Sequence, residues 1–176
     1  RKQRASEEII GRLTEHYYEI RAGIGANKSP QLYGAFPFDA YSHTPSTAGA
    51  KQPGMTGQVK EDIISRWAEL GIEVNHGEIH LDPFFLSENE FLNAPSSFRY
   101  LDANEEWQEL ALAAGELAFT YCAVPFVFSK ANQAGLSISM TNGEEETLDK
   151  LIIPAAISAE IFKRNGAVKI IRAQLA

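Results

Sequence analysis

Leu110-Ala111-Leu112-Ala113-Ala114-Gly115-Glu116-Leu117-Ala118-Phe119-Thr120-Tyr121-Cys122-Ala123-Val124-Pro125-Phe126-Val127-Phe128 is the stretch that decides the fold. It carries a single charge, Glu116, over nearly the length that a bilayer-spanning helix needs. Gly115, Glu116, Thr120 and Pro125 all fall near its middle, however, and its large apolar residues alternate. Leu110 and Leu112 alternate before Ala114-Gly115; Leu117, Phe119 and Tyr121 alternate after it. A period of two is the signature of a strand with one buried face, so the stretch predicts paired strands rather than a membrane helix. Pro125 splits the run from Val124 to Phe128 and predicts an edge strand or a bulge. Residues 104–114 also carry enough Glu, Gln, Leu and Ala to pass for a helix.

Strand grammar extends in both directions from this stretch. Leu136, Ile138 and Met140 alternate into Asn142-Gly143, a hairpin turn signal, and Thr147 to Ile153 reads as the return strand. Ser158 to Arg164 reads as a short helix, and Val168, Ile170 and Arg172 as a closing strand. Upstream, Ile72-Glu73-Val74 and Glu78-Ile79-His80-Leu81 flank Asn75-His76-Gly77, a short hairpin, and Asp82-Pro83 then breaks the strand.

Before residue 72 the period changes. Ile9, Leu13, Tyr17, Ile20 and Ile24 recur at spacings of three and four, which is one face of a helix. Ser6 is its expected N-cap, Glu7 and Glu8 suit the positive end of its dipole, and Gly23 and Gly25 end it. Gly11 weakens it by about 1 kcal/mol relative to Ala. A second helix carries Val59, Ile63, Trp67 and Leu70 and stops at Gly71, a natural left-handed closing residue. The expected fold is therefore α+β: a helical segment over 1–71, then an antiparallel β-sandwich over 72–176, with no internal repeat.

Between the helices, residues 25–54 show little periodicity, and so long a loop in a compact domain is usually functional or disordered. Tyr33, Phe36, Phe38 and Tyr41, four prolines, and only Lys28, Asp39 and Lys51 as charges argue against disorder. The rest of the composition is that of an ordinary globular protein. The chain has 176 residues, 44% of them hydrophobic, with 16 Lys+Arg against 23 Asp+Glu and a net charge of −7. That balance disfavours a nucleic-acid or anionic-membrane surface, because nothing concentrates positive charge. Cys122 is the only cysteine, which excludes an intrachain disulfide and a cysteine zinc site. Arg1-Lys2-Gln3-Arg4 leads into Ser6-Glu7-Glu8 with no apolar signal core, so a cytoplasmic address is expected. The sequence opens without Met and reads as a piece of something longer.

The densest chemistry lies in Asp39-Ala40-Tyr41-Ser42-His43-Thr44-Pro45 and in Lys51-Gln52-Pro53-Gly54-Met55-Thr56-Gly57-Gln58. Pro53-Gly54 turns the chain into the second helix with Thr56 near its N-cap. The N–H groups of Gly57 and Gln58 then point outward with the positive end of the dipole, and Gly57 lets an anion approach the backbone. This is either a phosphate or carboxylate site, with His43 or Lys51 as neighbours, or an ordinary Thr cap beside a turn glycine. His43 can exchange hydrogen bonds with a substrate oxygen, and Asp39 can act as a general acid or base. Tyr41 and the other loop aromatics can stack on sugar rings or form the loop's own packing. His76 and His80 lack a third nearby ligand, Cys122 reads as packing within a strand, and Glu144-Glu145-Glu146 reads as a solvated loop. No motif calls for a cofactor or a metal.

The run Met55-Thr56-Gly57, the helix end Leu70-Gly71-Ile72 and the strand Gly77-Glu78-Ile79-His80-Leu81-Asp82-Pro83 resemble the end of an inverting disaccharide phosphorylase. Cellobiose and chitobiose phosphorylases show a Thr-Gly helix start, a Leu-Gly-Ile helix end and a Gly-x-x-x-x-Asp-Pro strand, where the last helix of a six-hairpin (α/α)6 barrel enters a C-terminal β-sandwich. The resemblance spans about residues 33–83. It implies that Thr56 and Gly57 contact phosphate and that His43 matches the phosphate-site histidine. It also implies a general acid far upstream, in barrel helices that this sequence does not contain. Pro53-Gly54-Met55 replaces the family's Trp-containing approach, and Gln58-Val59-Lys60 replaces its small residues after Thr-Gly. Hydrolysis thus stands beside phosphorolysis.

The leading expectation is the C-terminal part of a carbohydrate-active enzyme that cleaves glycosidic bonds and is inactive alone. Residues 25–54 would wall the pocket, with Thr56, Gly57, His43, Lys51 and Gln52 holding an anion or sugar hydroxyl and Asp39 or Tyr41 orienting the substrate. Its partners would be carbohydrate, inorganic phosphate and the barrel domain of the same polypeptide, with oligomers allowed and no nucleic acid or membrane. The rival expectation is a non-catalytic β-sandwich module that binds a glycan or a partner protein. The enzyme reading predicts exposed apolar helix faces; the module reading predicts a unit that folds alone.

Overall fold

The computed structural model describes residues 6–22 and 56–176, with side chains described for 6–18 and 63–176. The chain is α+β and divides into two compact units, Arg1–Trp67 and Ala68–Ala176. In the first, α1 spans Glu7–Ala22 and opens as the sequence requires, with the Ile9 amide donating to Ser6 Oγ at 3.3 Å. Helix α2 spans Thr56–Glu69 and ends where Gly71 takes a φ of +68°.

Gly71 is obligatory for a second reason. A Cβ there would lie 2.1 Å from the Asp82 carbonyl carbon, because the Asp82 amide donates to the Gly71 carbonyl at 2.9 Å. No rotamer choice can relieve a clash of Cβ with backbone. Gly71 and Asp82-Pro83, two ends of the resembling motif, therefore form a single joint.

The second unit holds the strands β1 (Ile72–Asn75), β2 (Glu78–Leu81), β3 (Ser96–Leu101), β4 (Trp107–Leu112), β5 (Glu116–Tyr121), β6 (Val124–Lys130), β7 (Gly135–Met140), β8 (Glu145–Leu148), β9 (Ile152–Ile153) and β10 (Val168–Leu175). Helix α3, Ala155–Lys163, precedes β10. Three sheets result, ordered β1-β2-β9, β5-β6-β10-β7-β8 and β3-β4. The β part is sandwich-like: Ile79 and Leu81 of the first sheet share one core with Phe126, Phe128, Leu136, Ile138 and Ile171 of the second and Ile161 of α3. Ser158 crosses that core. Its buried hydroxyl donates to the Ile153 carbonyl at 3.0 Å and accepts from the Ile79 amide at 3.1 Å, satisfying two groups that water cannot reach.

Several expectations change in detail. Residues 107–112 are strand, so the helical composition of 104–114 loses to cross-strand pairing with β3. Strand β6 is interior, flanked by β5 and β10, rather than an edge. Pro125 is tolerated because the parallel pairing with β10 begins one residue later, at Phe126. That parallel pair makes the five-stranded sheet mixed. The expected return strand over 147–153 is divided: β8 pairs with β7, and β9 crosses to pair with β2. The Asn142-Gly143 hairpin forms, with Gly143 at φ +91°. In β10 a register shift between Val168 and Ile170 re-phases the strand, so Val168, Ile171 and Ala173 are buried in place of a simple even series.

Candidate functional site

Asp39, Tyr41, His43, Lys51 and Gln52, with the loop aromatics Tyr33, Phe36 and Phe38, lie outside the described residues. Thr56 and Gly57 are the first two residues of α2; the cap before them and their side chains lie outside what the structure describes.

Two clefts within Ala68–Ala176 gather titratable side chains from separate strands. The first, about 290 Å³, lies where the β3–β4 turn meets the β5–β6 turn and the end of α3. Tyr100, Asp102, Cys122, Glu160 and Arg164 line it. Register fixes the β5–β6 turn: Tyr121 pairs with Val124, leaving Cys122 and Ala123 as a two-residue loop. Both are left-handed, with φ of 51° and 65°, which is the type I′ arrangement that Asn-Gly ordinarily fills. Each costs about 1–2 kcal/mol relative to the right-handed region. Cys122 is thus a half-buried turn residue rather than a mid-strand one. Arg164, at the α3 C-cap, is left-handed as well, at φ 51°. Backbone strain gathers at this cleft.

Its acids serve the surrounding turns. Asp102 Oδ1 accepts from the Asn104 amide at 2.8 Å and the Glu106 amide at 3.1 Å, and Oδ2 accepts from Gln108 Nε2 at 2.9 Å. The Glu106 amide bond, helped by those to Asn104 and Gln108, holds its carboxyl below the usual range. Glu160 accepts from Lys163 Nζ at 2.6 Å and Asn165 Nδ2 at 2.7 Å, which lowers its pKa in that order of importance. Tyr100 is pushed up, first by burial and then by the Asp102 charge, so it remains a neutral phenol. Arg164 and Lys169 bring basic side chains to the same cleft. The cleft offers hydrogen bonds to a polar ligand. Among the described residues, no hydrogen bond joins Cys122 to an acidic or basic side chain.

The second cleft, about 480 Å³, lies on the face of the five-stranded sheet opposite the shared core. Register aligns Ala118, Val127, Arg172, Ser137 and Thr147 in a row across all five strands. Arg172 Nη1 meets Glu116 Oε1 at 3.2 Å, and Glu116 Oε2 accepts from the Ala113 amide at 2.8 Å. Glu116 is thereby committed to the β4–β5 turn and to one ion pair. Sequence reasoning missed that pair, since its partners lie 56 residues apart. Asp102 was legible in principle, because Asp102-Ala103-Asn104 has the composition of a side-chain-closed turn.

His80 projects from β2 opposite the core. Its Nε2 is shielded from solvent and lies 3.4 Å from Glu78 Oε2, outside hydrogen-bond geometry. Among the described residues, no group of three His, Cys, Asp or Glu side chains is placed to hold a metal ion. No described helix is long and apolar enough to cross a membrane. Comparison with known protein families and with curated proteins finds no match for this chain.

Proposed function

We propose that this chain serves as the C-terminal part of a carbohydrate-active enzyme, in which α1 and α2 belong to a larger helical barrel and Ala68–Ala176 is the appended β domain. The observation that carries this reading is the exposure of large apolar residues along α1 and α2. Ile9 and Leu13 of α1 are 51% and 59% exposed, and Ile63 and Ile64 of α2 are 46% and 64% exposed. Apolar helix faces left in water favour a covering layer. The Gly71–Asp82 joint falls at residues on which the resemblance to disaccharide phosphorylases rests.

In that enzyme, cleavage requires a carboxylic acid to protonate the leaving oxygen, with water, phosphate or a second carboxylate completing displacement. The general acid comes from the barrel. Thr56, Gly57 and His43 hold an anion or a sugar hydroxyl, Lys51 and Gln52 line the same pocket, and Asp39 and Tyr41 orient the substrate. The acids of the two described clefts remain with the turns they close.

The test is the mass and N-terminal sequence of the protein isolated from its source, followed by assay of that polypeptide on disaccharides with and without phosphate. Several hundred additional residues and glycoside cleavage abolished or weakened by Thr56→Val support the reading. A natural start at Arg1 overturns it. The alternative, a glycan- or protein-binding β module, is favoured by the separate core of Ala68–Ala176; it requires saccharide or protein binding by residues 68–176 without turnover.

A further inference from the structure

Strands β3 and β4 form a ribbon bonded to no other strand. Its inner face carries Phe98, Tyr100, Gln108, Leu110 and Leu112, all at least partly buried. Its outer face carries Ser97, Arg99 and Leu101 on one strand and Trp107, Glu109 and Ala111 on the other, every one of them exposed. Trp107 is 63% exposed and Leu101 45%. The register sets Leu101 opposite Trp107, Arg99 opposite Glu109 and Ser97 opposite Ala111.

We infer that this outer face is the seat of a second copy of the chain, packed about a twofold axis that runs along the ribbon between its strands. Rotation about that axis brings β3 of one copy over β4 of the other. Every residue then faces the partner's version of its own cross-strand neighbour. Arg99 meets Glu109 twice, and Leu101 meets Trp107 twice, across the roughly 10 Å that separates stacked sheets. Charge complementarity thus follows from the register, and an isologous contact of this kind closes at two copies.

The charges are available for such a contact. Among the described residues, the Glu109 carboxylate makes neither a hydrogen bond nor an ion pair, and the Arg99 guanidinium rests over the Trp107 ring at 4.9 Å from its centroid. A sugar is the poorer occupant, because Arg99 already covers one face of the indole and Leu101 would stay in water. The patch is small beside the roughly 800 Å² per partner of a standard interface, so the association is weak and concentration-dependent.

The experiment is sedimentation equilibrium of the chain over a wide concentration range, with Arg99→Glu, Glu109→Arg and the double swap. Each single reversal places like charges opposite each other twice and should weaken self-association by roughly tenfold or more. The double swap should restore it. A mixture of the Arg99→Glu and Glu109→Arg chains should form mixed dimers, since one copy then presents two carboxylates and the other two guanidinium groups. Trp107→Ala, which leaves the charges in place, should weaken association as well. A chain that stays monomeric at all concentrations overturns the inference. So does association indifferent to both reversals, which would belong to another surface such as the helix faces, and so does a mixture that yields no mixed dimer.

Discussion

The β3–β4 ribbon and the five-stranded sheet start from the same sequence pattern and end in different environments. Each contains a pair of stacked rings, Phe98 with Tyr100 at 5.7 Å and Phe119 with Phe126 at 5.3 Å. Each has an antiparallel hairpin closed by a short loop with a left-handed non-glycine residue. Yet Phe126 is fully buried, whereas the outer face of the ribbon carries a Trp largely in water. The difference is neighbours. Strand β6 has a strand on either side and the sandwich core beneath it, while β3 and β4 have only each other and one covered face. Alternation therefore identifies which residues share a face. It does not say how many layers will cover that face.

Substitutions can sharpen this contrast. Phe126→Ala should cost about 3–5 kcal/mol in chemical denaturation, because it opens a cavity between sheets that cannot collapse. Ser158→Ala comes next, at about 1–3 kcal/mol, since the Ile79 amide and Ile153 carbonyl lose their buried partner. Both effects should appear as a lower denaturation midpoint for the whole β unit. A loss for Phe126→Ala no larger than that of an exposed site would break the comparison.

Ala123→Gly should act in the opposite direction, raising stability by about 0.5–1 kcal/mol, because glycine accepts the φ of 65° without the Cβ penalty. An unchanged or lower midpoint would show that the strain at this turn is offset in the folded state. The smallest effect belongs to the ribbon. Asp102 has a folded pKa below its ordinary 3.8, so its contribution is present above that value and is lost as pH falls through the depressed folded pKa. Amide exchange at Asn104 and Glu106 should therefore accelerate, relative to the intrinsic rate, only below about pH 4, while Phe126 and Phe128 remain protected. Equal loss of protection in both regions would tie the ribbon to the core and erase the distinction.

Local chemistry made much of the fold legible. Ser6 caps α1, Gly71 closes α2, and His76-Gly77 turns the first hairpin with φ of 50° and 83°. In each case the physical cause lies within a few residues of the feature. The candidate site was legible only as a cluster of chemistry in 39–57, through residue types and the helix start at Thr56. The Asp102 and Arg172 clefts of the β unit were not legible, because each is assembled from segments tens of residues apart. Pro125 shows the same limit: a missing N–H predicts an edge, and only the start of the β10 pairing at Phe126 explains its place in an interior strand.

The sequence by itself determined the periods, the turn positions and the change from helix to strand at Gly71, since these follow from side-chain spacing and backbone permissions. It also determined the α+β class, because a period of two rules out a spanning helix over 110–128. The tertiary structure alone decided which strands became neighbours and the parallel pairing of β6 with β10. It also decided the commitment of Glu116 to Arg172 and the exposure of Trp107. Those outcomes depend on competition among all strands for the same partners and the same core, and a local pattern carries no record of that competition.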